Sequence, residues 1–153
     1  MTKKVFISHS SKNINTCRMV VGFLRQAGIR EDQIFCTSIP ELGIHGTDFP
    51  EEIVHNIESS AFNIIILSSE YANSIPCQNE AGIIWFLHKS KKAIPMFCLV
   101  DMYCSVLSLK GFVNGNTCHF HPLNKEKKIQ SMTDLCESAR RALGIKRKYR
   151  LLF

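Results

Sequence analysis

Five short runs of the chain, residues 4–8, 33–37, 61–68, 93–100 and 117–120, have the apolar and β-branched character of strands. The third and fourth are continuously apolar, as strands are when both faces of a parallel sheet are covered. Between the runs the spacing of apolar positions changes from two to three and four. Cys17, Val20, Val21 and Leu24 share one helical face, with Gly28 following as a stop. Ile53, Val54 and Ile57 follow Asp48-x-x-Glu51, the pattern of a capping box. Ala81, Ile84 and Leu87, with His88, form a third face. Ile129, Met132, Cys136, Ala139 and Leu143 form the last face, which Gly144 closes. Residues 102–116 carry the faintest helical pattern.

Strands that alternate with helices of this length build βαβ units with right-handed crossovers. The expected fold is α/β: a flavodoxin-like five-stranded parallel sheet of order 2-1-3-4-5 with helices on both faces. In that order the switch point lies between strands 1 and 3, and ligands bind beyond the carboxyl ends of the strands there. The first strand ends at Ser8-His9-Ser10-Ser11 and the third at Ser68-Ser69. The following segment carries Ser74-Ile75-Pro76-Cys77-Gln78-Asn79-Glu80 into a helix start. These pieces should converge on one cleft.

With 153 residues the chain makes one domain, too short for two catalytic ones. Its longest apolar runs fall far short of the roughly 20 residues that cross a bilayer, so no membrane span is expected. Residues 1–10 turn polar after three apolar positions, unlike a signal peptide. The seven cysteines are odd in number, and none lies in a CxxC pair. Both features point to reduced thiols and a cytoplasmic protein rather than to a disulfide framework or a zinc ribbon. The net charge of +6 is concentrated: residues 125–153 hold 9 Lys and Arg against 3 acids, and the rest of the chain is balanced. Residues 1–145 are therefore read as the domain and 146–153 as a basic C-terminal tail or linker start. Lys146-Arg147-Lys148-Tyr149-Arg150 could touch nucleic acid, but no aromatic interleaving or recognition motif accompanies it, and nucleic acid is not an expected partner.

At the expected cleft the acids are Glu80 and, on the same loop, Glu70. A phosphate-accepting receiver domain needs acids at the ends of strands 1 and 3, where this chain has serine. Neither G-x-G-x-x-G nor G-x-x-x-x-G-K is present, which excludes the common phosphate cradles. Cys118-His119-Phe120-His121 offers two metal-type ligands on one strand face but no second cluster, and no metal site is expected. Cys77 at a helix start could be an activated thiol, but no histidine is fixed beside it in the sequence. A structural thiol is the expected role. Glu80 is different: beside Asn79, Ala81, Gly82 and Ile83, a charge entering an apolar helix needs a reason.

Three segments, taken together and in order, resemble the TIR (Toll/interleukin-1 receptor) domain family over roughly residues 3 to 145. Lys4-Val5-Phe6-Ile7-Ser8-His9-Ser10-Ser11-Lys12-Asn13 is similar to its first box. Ile34-Phe35-Cys36-Thr37-Ser38 through Gly43-Ile44-His45-Gly46-Thr47-Asp48-Phe49 resembles its second strand and BB loop. Ile64 to Ser74, followed by Cys77-Gln78-Asn79-Glu80, resembles the S-x-x-C-x-x-E segment of members that cleave NAD+. The loop Ile39-Pro40-Glu41-Leu42-Gly43 lacks the Arg-Asp and Pro-Gly usual in animal receptors and adaptors, and the likeness is to the bacterial type.

The resemblance implies an NAD+ nucleosidase, an NAD+ glycohydrolase or ADP-ribosyl cyclase in bacterial antiphage immune signalling. Glu80 is then the catalytic residue, and Ser8, His9, Ser10, Phe35, Ile44, Ser68, Tyr71, Ser74 and Cys77 line the substrate path. NAD+ is the substrate, and no cofactor is expected. The resemblance also implies self-association through Pro40, Leu42, Gly43, Ile44 and Gly46 of the BB loop, and a downstream effector or fused domain as a further partner. The alternative is a non-catalytic module that assembles with other TIR domains.

Overall fold

The computed structural model describes residues 2–37, 50–104 and 109–153. Its strands are β1 (Val5–Ser8), β2 (Ile34–Phe35), β3 (Phe62–Leu67), β4 (Met96–Val100) and β5 (Phe120–Pro122). Its α-helices are α1 (Ile14–Gln26), α2 (Pro50–Ser59), α3 (Ser69–Ala72), α4 (Ile75–Lys89) and α5 (Lys128–Leu143). All strand pairs are parallel, in the order β2-β1-β3-β4-β5. This is the sheet the apolar pattern predicts.

Alternation along β3 explains why its run is unbroken. Ile64 and Ile66 enter one core with α1 and α5, while Ile65 and Leu67 enter the other with α2 and α4. The same alternation in β1 sends Val5 and Ile7 to the first core and Phe6 to the second. Ser8, two residues after Phe6, is thereby delivered to the α4 side.

Several expected boundaries shift, each for a local reason. β4 begins at Met96 rather than at residue 93, because Ala93 takes a left-handed conformation (φ 46°) and Pro95 precedes the strand. β5 begins at Phe120 rather than at residue 117. Asn114 and Thr117 hold a turn there, with Thr117 Oγ1 accepting from Asn114 N at 3.0 Å and Asn114 Oδ1 accepting from Asn116 N at 2.9 Å. The faint helix over 102–116 does not form among the described residues. A single turn not expected from the periodicity, α3, forms instead after β3, where the Ser68 hydroxyl caps Tyr71 N.

On α5 the buried face is Met132, Leu135, Cys136, Ala139 and Leu143, and Ile129 is 57% exposed. Ile129, on the first turn, instead lines a surface groove with Met19, Phe23 and Leu123. On α2 only Ile57 is fully buried, while Ile53 and Val54 turn toward a cavity. Gly28 (φ 89°) and Gly144 (φ 72°) follow the ends of α1 and α5 in the left-handed conformation that glycine adopts without strain. Asp48 of the expected capping box and the BB-loop residues Pro40, Leu42, Gly43, Ile44 and Gly46 lie outside the described residues.

Residues 145–153 pack back on the domain. The buried Arg140 guanidinium donates to Ala27 O and Arg147 O and lies 4.3 Å from the Tyr149 ring centroid. The Phe153 ring lies tilted against Phe23, with centroids 5.0 Å apart, and Leu152 N donates to Gln26 Oε1 at 2.8 Å.

Candidate functional site

The carboxyl ends of β1 and β3 and the start of α4 meet at one place. Ser74 caps α4, its hydroxyl accepting from Cys77 N at 3.4 Å, and Pro76 sits in the first turn, where no hydrogen bond is lost. The helix then turns Cys77, Ala81, Ile84 and Leu87 into the core. Glu80, three after Cys77 and four before Ile84, falls on the flank of that stripe and is half-buried.

Its carboxylate meets a chain of hydroxyls. Ser8 donates from Oγ to Glu80 Oε2, and the Tyr71 hydroxyl lies 2.8 Å from Ser8 Oγ. A carboxylate only accepts, so Ser8 spends its proton on Glu80 and Tyr71 donates to Ser8. Tyr71 is fully buried, and burial holds its phenol well above the usual range, so it remains a donor. Tyr71 is itself placed by Ser68, whose hydroxyl accepts from Tyr71 N at 3.0 Å and donates to Asn13 Oδ1 at 2.5 Å.

Burial pushes the Glu80 carboxyl up to about 7, against the pull of the Ser8 hydrogen bond and of the nearby His9 imidazole. Among the described residues no Lys or Arg forms an ion pair with it. Cys77 is buried and its thiol is raised by that burial, the state of an inert structural cysteine rather than of a nucleophile.

A cavity of about 440 Å³ opens over Glu80, within the range of small-molecule sites. Of the residues expected at the site, His9, Ser74, Cys77 and Glu80 line it directly, while Ser8 and Tyr71 form the hydroxyl chain that ends on Glu80. Ser10 is spent on capping a short 3-10 turn, accepting from Lys12 N at 3.3 Å, and Ser68 is buried beneath Tyr71. Phe35 stacks on Phe6 at 5.5 Å in the α2 and α4 core, and Ile44 lies outside the described residues.

The sequence places Ser11, Pro76 and Asn79 in the segments that converge on the cleft, but not Thr37, Pro50, Ile53, Val54 or Ile83, which complete the lining. Only the topology that packs α2 beside α4 could have found them. A larger groove of about 870 Å³ continues along the same helices past Val54, Asn79 and Ile83 to Lys110 and Phe112. The smaller cavity is the better candidate for chemistry, because it contains the desolvated carboxyl and its hydroxyl chain.

Known proteins agree with this architecture. In the activated Roq1 resistosome directly recognizing the pathogen effector XopQ, the TIR domains are similar to this chain with a TM-score of 0.50 and 18% identity, over 95% of this chain and 86% of that one. The uncharacterized protein YddK of Bacillus subtilis (strain 168) is 37% identical over 86 residues, 56% of this chain and 32% of that protein. The chain thus spans about a third of that relative's length. The family model of the TIR domain matches residues 5–132, and on that match, with the sheet order observed, the chain belongs to the TIR domain family.

Proposed function

We propose that this TIR domain cleaves the nicotinamide–ribose bond of NAD+, with Glu80 as the catalytic residue. The observation that carries the reading is a desolvated carboxyl, the only one lining the cavity among the described residues, held by Ser8, which Tyr71 in turn bonds, beside the switch point of the sheet. Most glycosidases need two carboxyls, one of them to protonate the leaving group. Nicotinamide departs from a pyridinium as a neutral molecule, so no acid is needed. The task left is to oppose the positive charge that grows on the ribose. An anion already stripped of water and fixed in direction does that best, because it costs no reorganisation as the charge appears.

Ser8 and Tyr71 hold the carboxylate's orientation, and His9, Ser11 and Ser74 offer polar contacts along the cavity wall. Attack by water gives ADP-ribose and attack by an adenine nitrogen gives a cyclic ADP-ribose; both follow the same departure step. Thr37 and Pro50, at the two ends of the segment 38–49, line the cavity. On this reading the site is completed on assembly through the BB loop, and the domain acts in bacterial antiphage signalling.

No helix among the described residues is long and apolar enough to cross a membrane. The second reading, a non-catalytic assembly module, draws on the exposed Ile75 and Phe86 of α4. Mass spectrometry of products after incubating concentrated protein with NAD+ tests the choice. Nicotinamide with ADP-ribose or its cyclic form supports cleavage, and intact NAD+ under assembling conditions supports the module.

A further inference from the structure

Behind the cavity wall, on the α1 side of the sheet, three metal-type ligands converge from three different elements. His9 follows β1, Cys17 sits in the first half of α1, and Cys36 follows β2. The two sulfurs are 3.3 Å apart, and Cys36 Sγ is 3.5 Å from His9 Nδ1. One ligand atom from each residue lies within 4.8 Å of the others. Both cysteines are fully buried and His9 is 5% exposed. We propose that His9, Cys17 and Cys36 bind one zinc(II) ion.

Two of the three spacings are close to those of a coordination shell. Zinc–sulfur bonds of about 2.3 Å and zinc–nitrogen bonds of about 2.0 Å in a tetrahedron place the two sulfurs about 3.8 Å apart and sulfur and nitrogen about 3.6 Å apart. To reach that shell the two sulfurs would open by about half an ångström, and the His9 and Cys17 ligand atoms, within 4.8 Å of each other, would close around the ion.

Charge selects zinc among thiophilic ions. Two thiolates and a neutral imidazole cancel a dication in this buried place, two thiol protons leaving to solvent, whereas copper(I) would leave a net negative charge without a partner. The ligands offer three donors, and a tetrahedral ion keeps its fourth position. His9 also lines the cavity over Glu80, so the ion would be fixed against the wall of the candidate active site and would lock the His9 ring in one orientation. Zinc binding does not depend on the proposed NAD+ cleavage, and each can fail without the other.

The test uses the full chain, reduced and stripped by a chelator, then titrated with zinc against a chromophoric competitor and, separately, with cobalt(II). One equivalent of zinc and a sulfur-to-cobalt charge-transfer band are expected. Cys17→Ser and Cys36→Ser should each weaken zinc binding by at least about a hundredfold, more than the loss of an outer partner costs. Cys98→Ser and Cys118→Ser should leave it unchanged. Because the first two variants could fail to fold, alkylation of the wild-type protein read by mass spectrometry gives a second measure: zinc should protect Cys17 and Cys36 selectively. No zinc binding by the folded, reduced wild type, protection of Cys98 and Cys118 instead, or cobalt spectra without a thiolate band would overturn the proposal.

Discussion

Replacing Glu80 by Gln should stabilise the fold above neutral pH and leave it almost unchanged in acid. The carboxyl is held at about 7 in the folded protein, against an ordinary value of 4.5. A raised acid binds its proton more tightly in the native state than in the unfolded chain. Its favourable contribution is therefore complete below pH 4.5 and is lost as pH rises through 7. At about 1.4 kcal/mol for each pH unit between the two values, the ionised carboxylate costs the fold about 3 kcal/mol above neutrality.

Gln keeps the length of the side chain and an oxygen that can accept from Ser8, but carries no charge to desolvate. Equilibrium unfolding in urea at about pH 8 should show the variant more stable by about 3 kcal/mol, and at about pH 5 by less than about 1 kcal/mol. A gain of that kind, at the expense of function, is what a residue kept for chemistry rather than for stability should give. Equal stabilities at about pH 8, or the same gain at both pH values, would refute the idea that burial of this carboxyl is what raises it.

Three further outcomes follow from the same contacts. Ser8→Ala removes the hydrogen bond that pulls Glu80 downward, so the Glu80 carboxyl, followed by carbon-detected NMR, should titrate higher than in the wild type. Tyr71→Phe leaves Ser8 without its donor inside the core. It should lower stability by about 1 kcal/mol in thermal or urea unfolding and should slow any turnover while the fold remains intact. Arg140→Leu strands the carbonyls of Ala27 and Arg147 and releases Tyr149. A loss of about 3 kcal/mol in urea unfolding, with faster tryptic cleavage at Lys146 to Lys148, is expected.

The strands that cover both cores were plain in the sequence because Ile64 to Leu67 and Phe97 to Val100 have no polar position to accommodate. Glu80 was legible for the opposite reason, as a charge placed on the flank of an apolar helix. What escaped depends on contacts between distant residues. Ser8 and Tyr71 are 63 positions apart and Ser8 and Glu80 are 72 apart, so their hydrogen-bond chain exists only once β1, α3 and α4 are assembled. Cys17, within α1, and Cys36, 19 residues on and just after β2, carry no recognisable ligand spacing. The cavity-facing side of α2 reads like core because Ile53 and Val54 are apolar whether they meet a neighbouring helix or a ligand. The late start of β5 was hidden in the side-chain bonding of Asn114 and Thr117, which competes with the strand for the same backbone.

The rate of nicotinamide release from NAD+ by concentrated wild-type protein, measured beside Glu80→Gln at the same pH, tests the central claim most directly. Loss of the anion should slow release by about a thousandfold or more, equivalent to about 4 kcal/mol of transition-state stabilisation. Equal release by the two proteins, both shown to be folded, would contradict it.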